Sequence, residues 1–240
     1  QAIANERVNW YSQIGLSLNI SKTQILGIGY SPARIVLQGN TIHPSSDITF
    51  LGMTIQNDLK WSRQITSLCN KIRSAAGRIR YEGRNLNIWD RRALYMGWIQ
   101  SLVHYNTLVV LSTSSATDLS SVQTACNAGI RAVMGLKKYG YVDITSLRKS
   151  LRIQSVESII ELNLLGGAWK HFSTSSLCSP RQTTGPFTRG MAKHNIPHPD
   201  QRGHMAKAPH TILTKAWNRV PLDIKNANNF KSAKRQLKTF

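Results

Sequence analysis

The sequence predicts an α+β chain, with a small β-rich N-terminal part followed by a mostly α-helical remainder. Three observations predict it. After a first short helix, β-like runs separated by turn residues occupy residues 23–55. From Asp58 onward the apolar residues recur every third or fourth position, which is the period of a helix. The charge changes at the same place: residues 1–59 carry three basic and three acidic groups, whereas residues 60–100 carry nine and two.

The elements follow in order. Residues 5–18 read as a short amphipathic helix, with Val8, Trp10, Tyr11, Ile14 and Leu18 on the face to be buried. β-like runs come next at Thr23–Ile28, Arg34–Leu37 and Thr49–Ile55. Turn chemistry separates them at Tyr30-Ser31-Pro32, Gln38-Gly39-Asn40 and His43-Pro44-Ser45-Ser46. Trp61, Ile65, Leu68, Ile72, Ala76 and Ile79 then form one helical stripe, and Lys60, Arg63, Lys71, Arg73, Arg78 and Arg80 project to the other side. Asp90 stands where it would cap a helix carrying Leu94, Trp98, Leu102 and Tyr105. Asp118 opens another, with Leu119, Val122, Cys126, Ile130 and Val133 inside and Gly135 as its stop. Leu147, Leu151 and Ile153 mark a shorter segment. Ser155 caps a helix running through Ile159, Leu162, Leu165 and Trp169. Periodicity stops across residues 173–210, which read as a long, mobile basic loop. It resumes at Thr211–Trp217 and in a final basic helix, Asn229–Phe240.

With 240 residues and 41% hydrophobic composition the chain is able to bury a core, but its formal charge of +20 is unusual. Residues 60–100 carry a net +7 and residues 181–240 a net +10, flanking a middle of only +3. Two basic blocks of this size point to a polyanion, with nucleic acid as the expected partner. The three cysteines are odd in number and far apart. They argue against a secreted disulfide framework, and Cys69 and Cys126 fit core positions. With no signal peptide and no membrane span in the sequence, the expected location is intracellular, nuclear or cytoplasmic.

Two segments carry a resemblance. Residues 14–24 read I-G-L-S-L-N-I-S-K-T-Q, and residues 47–61 read D-I-T-F-L-G-M-T-I-Q-N-D-L-K-W. Further on stand L-R-I-Q-S-V-E-S-I-I-E-L, then A-W-N-R-V-P-L-D-I and N-N-F-K-S-A-K-R-Q-L-K. In this order and spacing the chain resembles the C-terminal part of a non-LTR (LINE-type, Jockey-like) retrotransposon reverse transcriptase. Trp217, Pro221, Ile224, Phe230 and Leu237 carry the match at the tail. The resemblance implies a palm end with the Lys-Thr motif and primer-grip-like strands (1–59). A thumb-like helical domain (60–172), the basic loop (173–210) and a helical tail (211–240) follow. It also implies a catalytic Asp-Asp hairpin upstream of the first helix, which a chain opening at Gln1 is expected to lack.

The acidic residues agree with that expectation. The eleven acids are scattered, with no Asp-Asp pair to gather the metal ions a polymerase needs. The chain alone is therefore expected to be inactive and to hold no cofactor, with Mg2+ belonging to the intact parent enzyme. Lys22 is the candidate for chemistry: the resemblance assigns it the protonation of departing pyrophosphate, a role suited to an ammonium. Phe50, Leu51, Gly52 and Met53 match the primer grip, where a glycine lets the backbone approach the primer end. Lys60, Arg63, Lys71, Arg73, Arg78 and Arg80 are the candidate contacts to phosphate. His194, His198, His204 and His210 lack zinc-ligand spacing, so no metal site is expected. The implied partners are an RNA template, a DNA primer, and the fingers and palm of the same polypeptide. A non-catalytic nucleic-acid-binding protein derived from a decayed or domesticated element is the alternative. A helical protein–protein module, its charge serving only solubility, is a third.

Overall fold

The computed structural model describes residues 2–29, 34–137, 140–173, 209–227 and 229–237. Most of the expected loop at 173–210, three of its histidines, Cys178 and the expected turn at Tyr30-Ser31-Pro32 lie outside them. The fold is α+β: small two-stranded sheets near the N-terminus, then helices. It divides into two compact units, Gln1–Ser67 and Leu68–Phe240. The sequence places its own boundary at residues 59 and 60.

The first unit holds α1 (Ala2–Gln13) and six short strands. These are β1 (Ile25–Leu26), β2 (Ile35–Leu37), β3 (Asn40–Ile42), β4 (Pro44–Ser45), β5 (Asp47–Phe50) and β6 (Met53–Gln56). β1 pairs β4 in parallel, whereas β2–β3 and β5–β6 are antiparallel hairpins. Three sequence expectations are corrected here. Helix α1 buries none of its residues, and Trp10, Tyr11 and Ile14 are exposed, although the helix packs along β2. The segment His43–Ser46 is not a turn, since Pro44 and Ser45 ladder onto β1 as an outer strand, a place where proline's missing N–H does no harm. The run Thr49–Ile55 is two strands, which reverse at Leu51-Gly52 with Phe50 facing Met53. Leu37 and Ile65 are the buried apolar side chains among the described residues of this unit. So small a core makes the unit dependent on its ladders and polar ties.

Helix α2 (Ser62–Glu82) begins in the first unit and continues in the second. Its stripe is as the spacing predicts: Ile65, Leu68, Ile72, Ala76 and Ile79 are buried, and Trp61 is half-buried. Helix α3 (Ile88–Tyr95) follows, capped by Asn87, whose side-chain oxygen accepts from the N–H groups of Trp89 and Asp90. Asp90 is thus not the cap but the residue three positions on, accepting from the Asn87 amide. Met96–Gln100 forms a π turn that runs into α4 (Ser101–Asn106). The buried stripe is Tyr95, Ile99 and Val103, one residue beyond the expected Leu94, Trp98, Leu102 and Tyr105. Bonding each N–H one residue further back than in an α-helix keeps side chains four apart in line, which suits that register.

Helix α5 (Ala116–Val133) starts with a reciprocal Ser115–Asp118 capping box. It ends at Gly135, at φ 70°, where Leu136 N–H reaches back to Arg131 O at 2.9 Å. Gly129 has a packing reason: a Cβ there would meet Ile99 Cδ1 at 2.5 Å and Tyr95 Cε2 at 2.8 Å. Its absence lets Tyr95 lie against α5, within hydrogen-bonding reach of Cys126. Helices α6 (Ile144–Ser150) and α7 (Val156–Ser173) also pack on α5, with Ser155 capping α7 through Ser158 N–H. Helices α8 (Pro209–Arg219), α9 (Leu222–Lys225) and α10 (Phe230–Leu237) complete a second apolar cluster around Trp169, Phe172 and Trp217.

Candidate nucleic-acid interface

Lys22 closes a short 3-10 turn, Ile20–Lys22, set up by Asn19. The Asn19 side-chain oxygen accepts from Lys22 N–H at 3.2 Å and Ser21 Oγ at 2.7 Å, and Asn19 O accepts from Thr23 Oγ1 at 2.9 Å. Asparagine, serine and threonine stabilise this turn through side-chain oxygens, and the Lys22 side chain is left exposed. Two residues later Gln24 Oε1 accepts from Thr49 N–H at 3.3 Å, which ties this segment to β5 next to Phe50. The two most distinctive stretches of the sequence, 25 residues apart along this bond, are neighbours in the first unit.

The Phe50–Met53 segment is a hairpin tip. Leu51 and Gly52 adopt φ 48° and 74°, the paired positive values of a two-residue turn of the I′ kind. Phe50 is 59% exposed and Leu51 71%, so two bulky apolar side chains stand on the surface beside a glycine. Leucine with positive φ is strained by roughly 1–2 kcal/mol, and Leu51 sacrifices little burial if replaced. Leu51→Asn is therefore expected to stabilise the β5–β6 ladder by about 0.5–1 kcal/mol, read as slower amide hydrogen exchange along those strands. Faster exchange would mean that Leu51 makes a stabilising contact outweighing its strain.

The start of α2 is stitched to this hairpin. Gln56 Oε1 accepts from Ser62 Oγ and Arg63 N–H, and the buried Gln64 accepts from Thr54 N–H at 2.9 Å. Arg63 forms an ion pair with Asp47. Lys60 does not belong to the helix, which begins at Ser62. It sits in the preceding turn with its N–H on Asp58 Oδ1 at 3.0 Å and its ammonium 3.8 Å from the same carboxylate.

The four remaining cations flank the buried stripe of α2 along two edges instead of sharing one. Lys71 and Arg78 are two turns apart on one side, and Arg73 and Arg80 two turns apart on the other. Arg78 spans Glu82, at 3.1 Å, and the Trp98 ring, whose centroid lies 4.3 Å from its guanidinium carbon. Arg73 touches Asn70 at 3.5 Å, and Arg80 donates to Leu136 O at 3.3 Å. All four side chains remain exposed.

One group escaped the sequence reading. Arg80, Arg84, Arg91 and Lys137 line a single cleft of about 490 Å³ in the second unit. The basic block 60–100 contains three of them, but nothing in their spacing shows that Lys137 joins them. Among the described residues no three His, Cys, Asp or Glu side chains gather to hold a metal ion, and no helix is long and apolar enough to cross a membrane. No known protein family, curated protein or solved structure matches the chain.

Proposed function

We propose that this chain is the palm end, thumb and C-terminal part of a LINE-type RNA-directed DNA polymerase, gripping primer and template–primer duplex during target-primed reverse transcription. The observation that carries the reading is the Gln24–Thr49 bond. It sets the Lys-Thr segment beside the hairpin that bears Phe50–Met53. In this reading the Lys22 ammonium serves the leaving pyrophosphate, and the exposed turn at Leu51-Gly52 offers bare backbone to the primer end. The cations of α2 meet phosphates along an RNA–DNA duplex, so binding is tolerant of sequence and strongly dependent on salt. The Mg2+ of the parent enzyme enters only through the resemblance.

The test is the salt dependence of RNA–DNA duplex binding, followed by fluorescence anisotropy. Replacing Arg73 and Arg78 together by Ala is expected to lower the slope of log K against log salt by about 1 per lost contact, equally for unrelated sequences. An unchanged slope would remove α2 from the interface. A non-catalytic nucleic-acid-binding protein is the second reading. It is favoured by the Asn19 cap, which holds Lys22 through its backbone N–H while its side chain stays exposed. Lys22→Ala separates the two: in the intact polymerase only the first reading expects a loss of primer extension at unchanged duplex affinity.

A further inference from the structure

The end of α2 and the end of α5 line a cationic cleft with no acidic side chain among the described residues of its walls. Arg80 comes from the last turn of α2, Arg84 from the 3-10 turn Gly83–Asn85, Arg91 from α3 and Lys137 from the segment after Gly135. None of the four takes part in a salt bridge within the described residues. The carbonyl end of α5 offsets only about half a charge, and Arg80 donates to the carbonyl of Leu136, just past that end. Four cations therefore line one cleft with only a partial offset, an arrangement that favours an anion there.

The backbone is cleared to make room for Arg91. A Cβ on Gly83 would sit 3.0 Å from Arg91 Cγ, and one on Gly135 would sit 3.1 Å from its Nη1. Among the described residues Arg91 Nε is buried without a hydrogen-bond partner. A buried donor left unmatched is costly, and that cost would be relieved if the guanidinium turned toward an anion in the cleft. Beside the cleft Tyr81 is 71% exposed, with the Arg84 guanidinium carbon 5.2 Å from its ring centroid. An open aromatic face next to unpaired cations suits a base stacked beside its own backbone phosphates.

We propose that this cleft takes the phosphates of a single-stranded stretch of nucleic acid, with a base of that strand stacked on Tyr81. The inference rests on the reading of the chain as nucleic-acid-binding and adds a second surface to it, which shares Arg80 with the duplex-facing cations of α2 and is otherwise made of Arg84, Arg91 and Lys137. The cleft volume, within the range of ligand sites, accommodates more than a lone phosphate.

Binding of an end-labelled oligouridine to the full chain, measured by anisotropy across a salt series, tests it. Arg84, Lys137 and Tyr81 are exposed, so the variants should keep the fold, which circular dichroism checks. Arg84→Ala with Lys137→Ala is expected to lower the salt slope by about 1.4, two single-strand phosphate contacts. Tyr81→Ala should weaken binding about 10-fold with the slope unchanged. Oligouridine and duplex binding that both survive these substitutions would overturn the inference and leave the wider reading standing. A wild-type chain that binds neither probe would overturn both. Displacement of oligouridine by inorganic phosphate at constant ionic strength, or equally well by polyglutamate, would mark a site for small anions or polyanions in general, and the single-strand assignment would fall.

Discussion

Truncating Trp169 to Ala is expected to cost about 3–5 kcal/mol, the usual range for a buried aromatic. Two losses combine. The indole packs in a cluster with Leu165, Phe172, Trp217, Val220, Ile224 and Leu237, and its ring lies 5.7 Å from that of Phe230. Its N–H donates to Ile224 O at 2.9 Å in a buried setting, so removal orphans that carbonyl as well. Helices α8, α9 and α10 have 11, 4 and 8 residues, too short to persist without packing. The C-terminal segment should therefore detach from α7 before the remainder of the second unit unfolds. Urea denaturation followed by circular dichroism, with hydrogen exchange to locate the loss, checks this. Trp169→Phe separates the contributions: it keeps most of the ring and should cost only about 1–2 kcal/mol for the bond. A loss below about 1 kcal/mol for Trp169→Ala would show that the tail does not depend on this cluster.

How far the sequence reveals such features depends on which physical signal each one rests on. The stripes of α2 and α5 are legible because a single period governs them and each buries one face against neighbours. In α3 and α4 the pairs Trp98-Ile99 and Leu102-Val103 put apolar residues side by side. Two registers then fit equally well, and a π turn decides between them. The reversal at Leu51-Gly52 is hidden because leucine rarely takes positive φ, so F-L-G-M reads as continuous strand. Helix α1 shows the converse: its sequence has an apolar face, but burial also needs a partner surface, which composition cannot supply. The basic cleft is the least legible of all. Residues 80–91 and 132–137 are far apart in the chain, and no local pattern links them. Motif order, by contrast, is legible: residues 14–24 and 47–61 follow one another in a recognisable pattern, and in the fold the Gln24–Thr49 bond joins them.

Raising the pH above 9 is expected to destabilise the second unit steeply, through the Tyr95–Cys126 pair. Burial, the dominant cause, pushes the Cys126 thiol from 9.0 up to about 12, although its hydrogen bond with Tyr95 acts in the opposite direction. Burial likewise raises the Tyr95 phenol, and the neighbouring thiol adds to that rise. The sign follows from which state gives up its proton first. In the unfolded chain the thiol ionises near 9.0, while the folded chain holds its proton to about 12. Between those values the unfolded state binds fewer protons, so stability falls as pH rises, by up to about 1.4 kcal/mol per pH unit. The thiol's contribution is complete below pH 9 and is lost as pH approaches 12, a ceiling of about 4 kcal/mol. Because the two groups share a hydrogen bond, the proton loss belongs to the pair and not to either alone. Cys69, also raised chiefly by burial, acts in the same direction, as do ordinary alkaline effects common to every variant. The difference between wild type and Cys126→Ala isolates the thiol's share, because burial still raises the Tyr95 phenol in the variant. Between about pH 8 and about pH 10.5 the wild-type unfolding free energy should drop by about 2 kcal/mol more than that of the variant. Equal drops would mean that the thiol ionises as readily folded as unfolded, and that Gly129 does not seal Tyr95 and Cys126 from water.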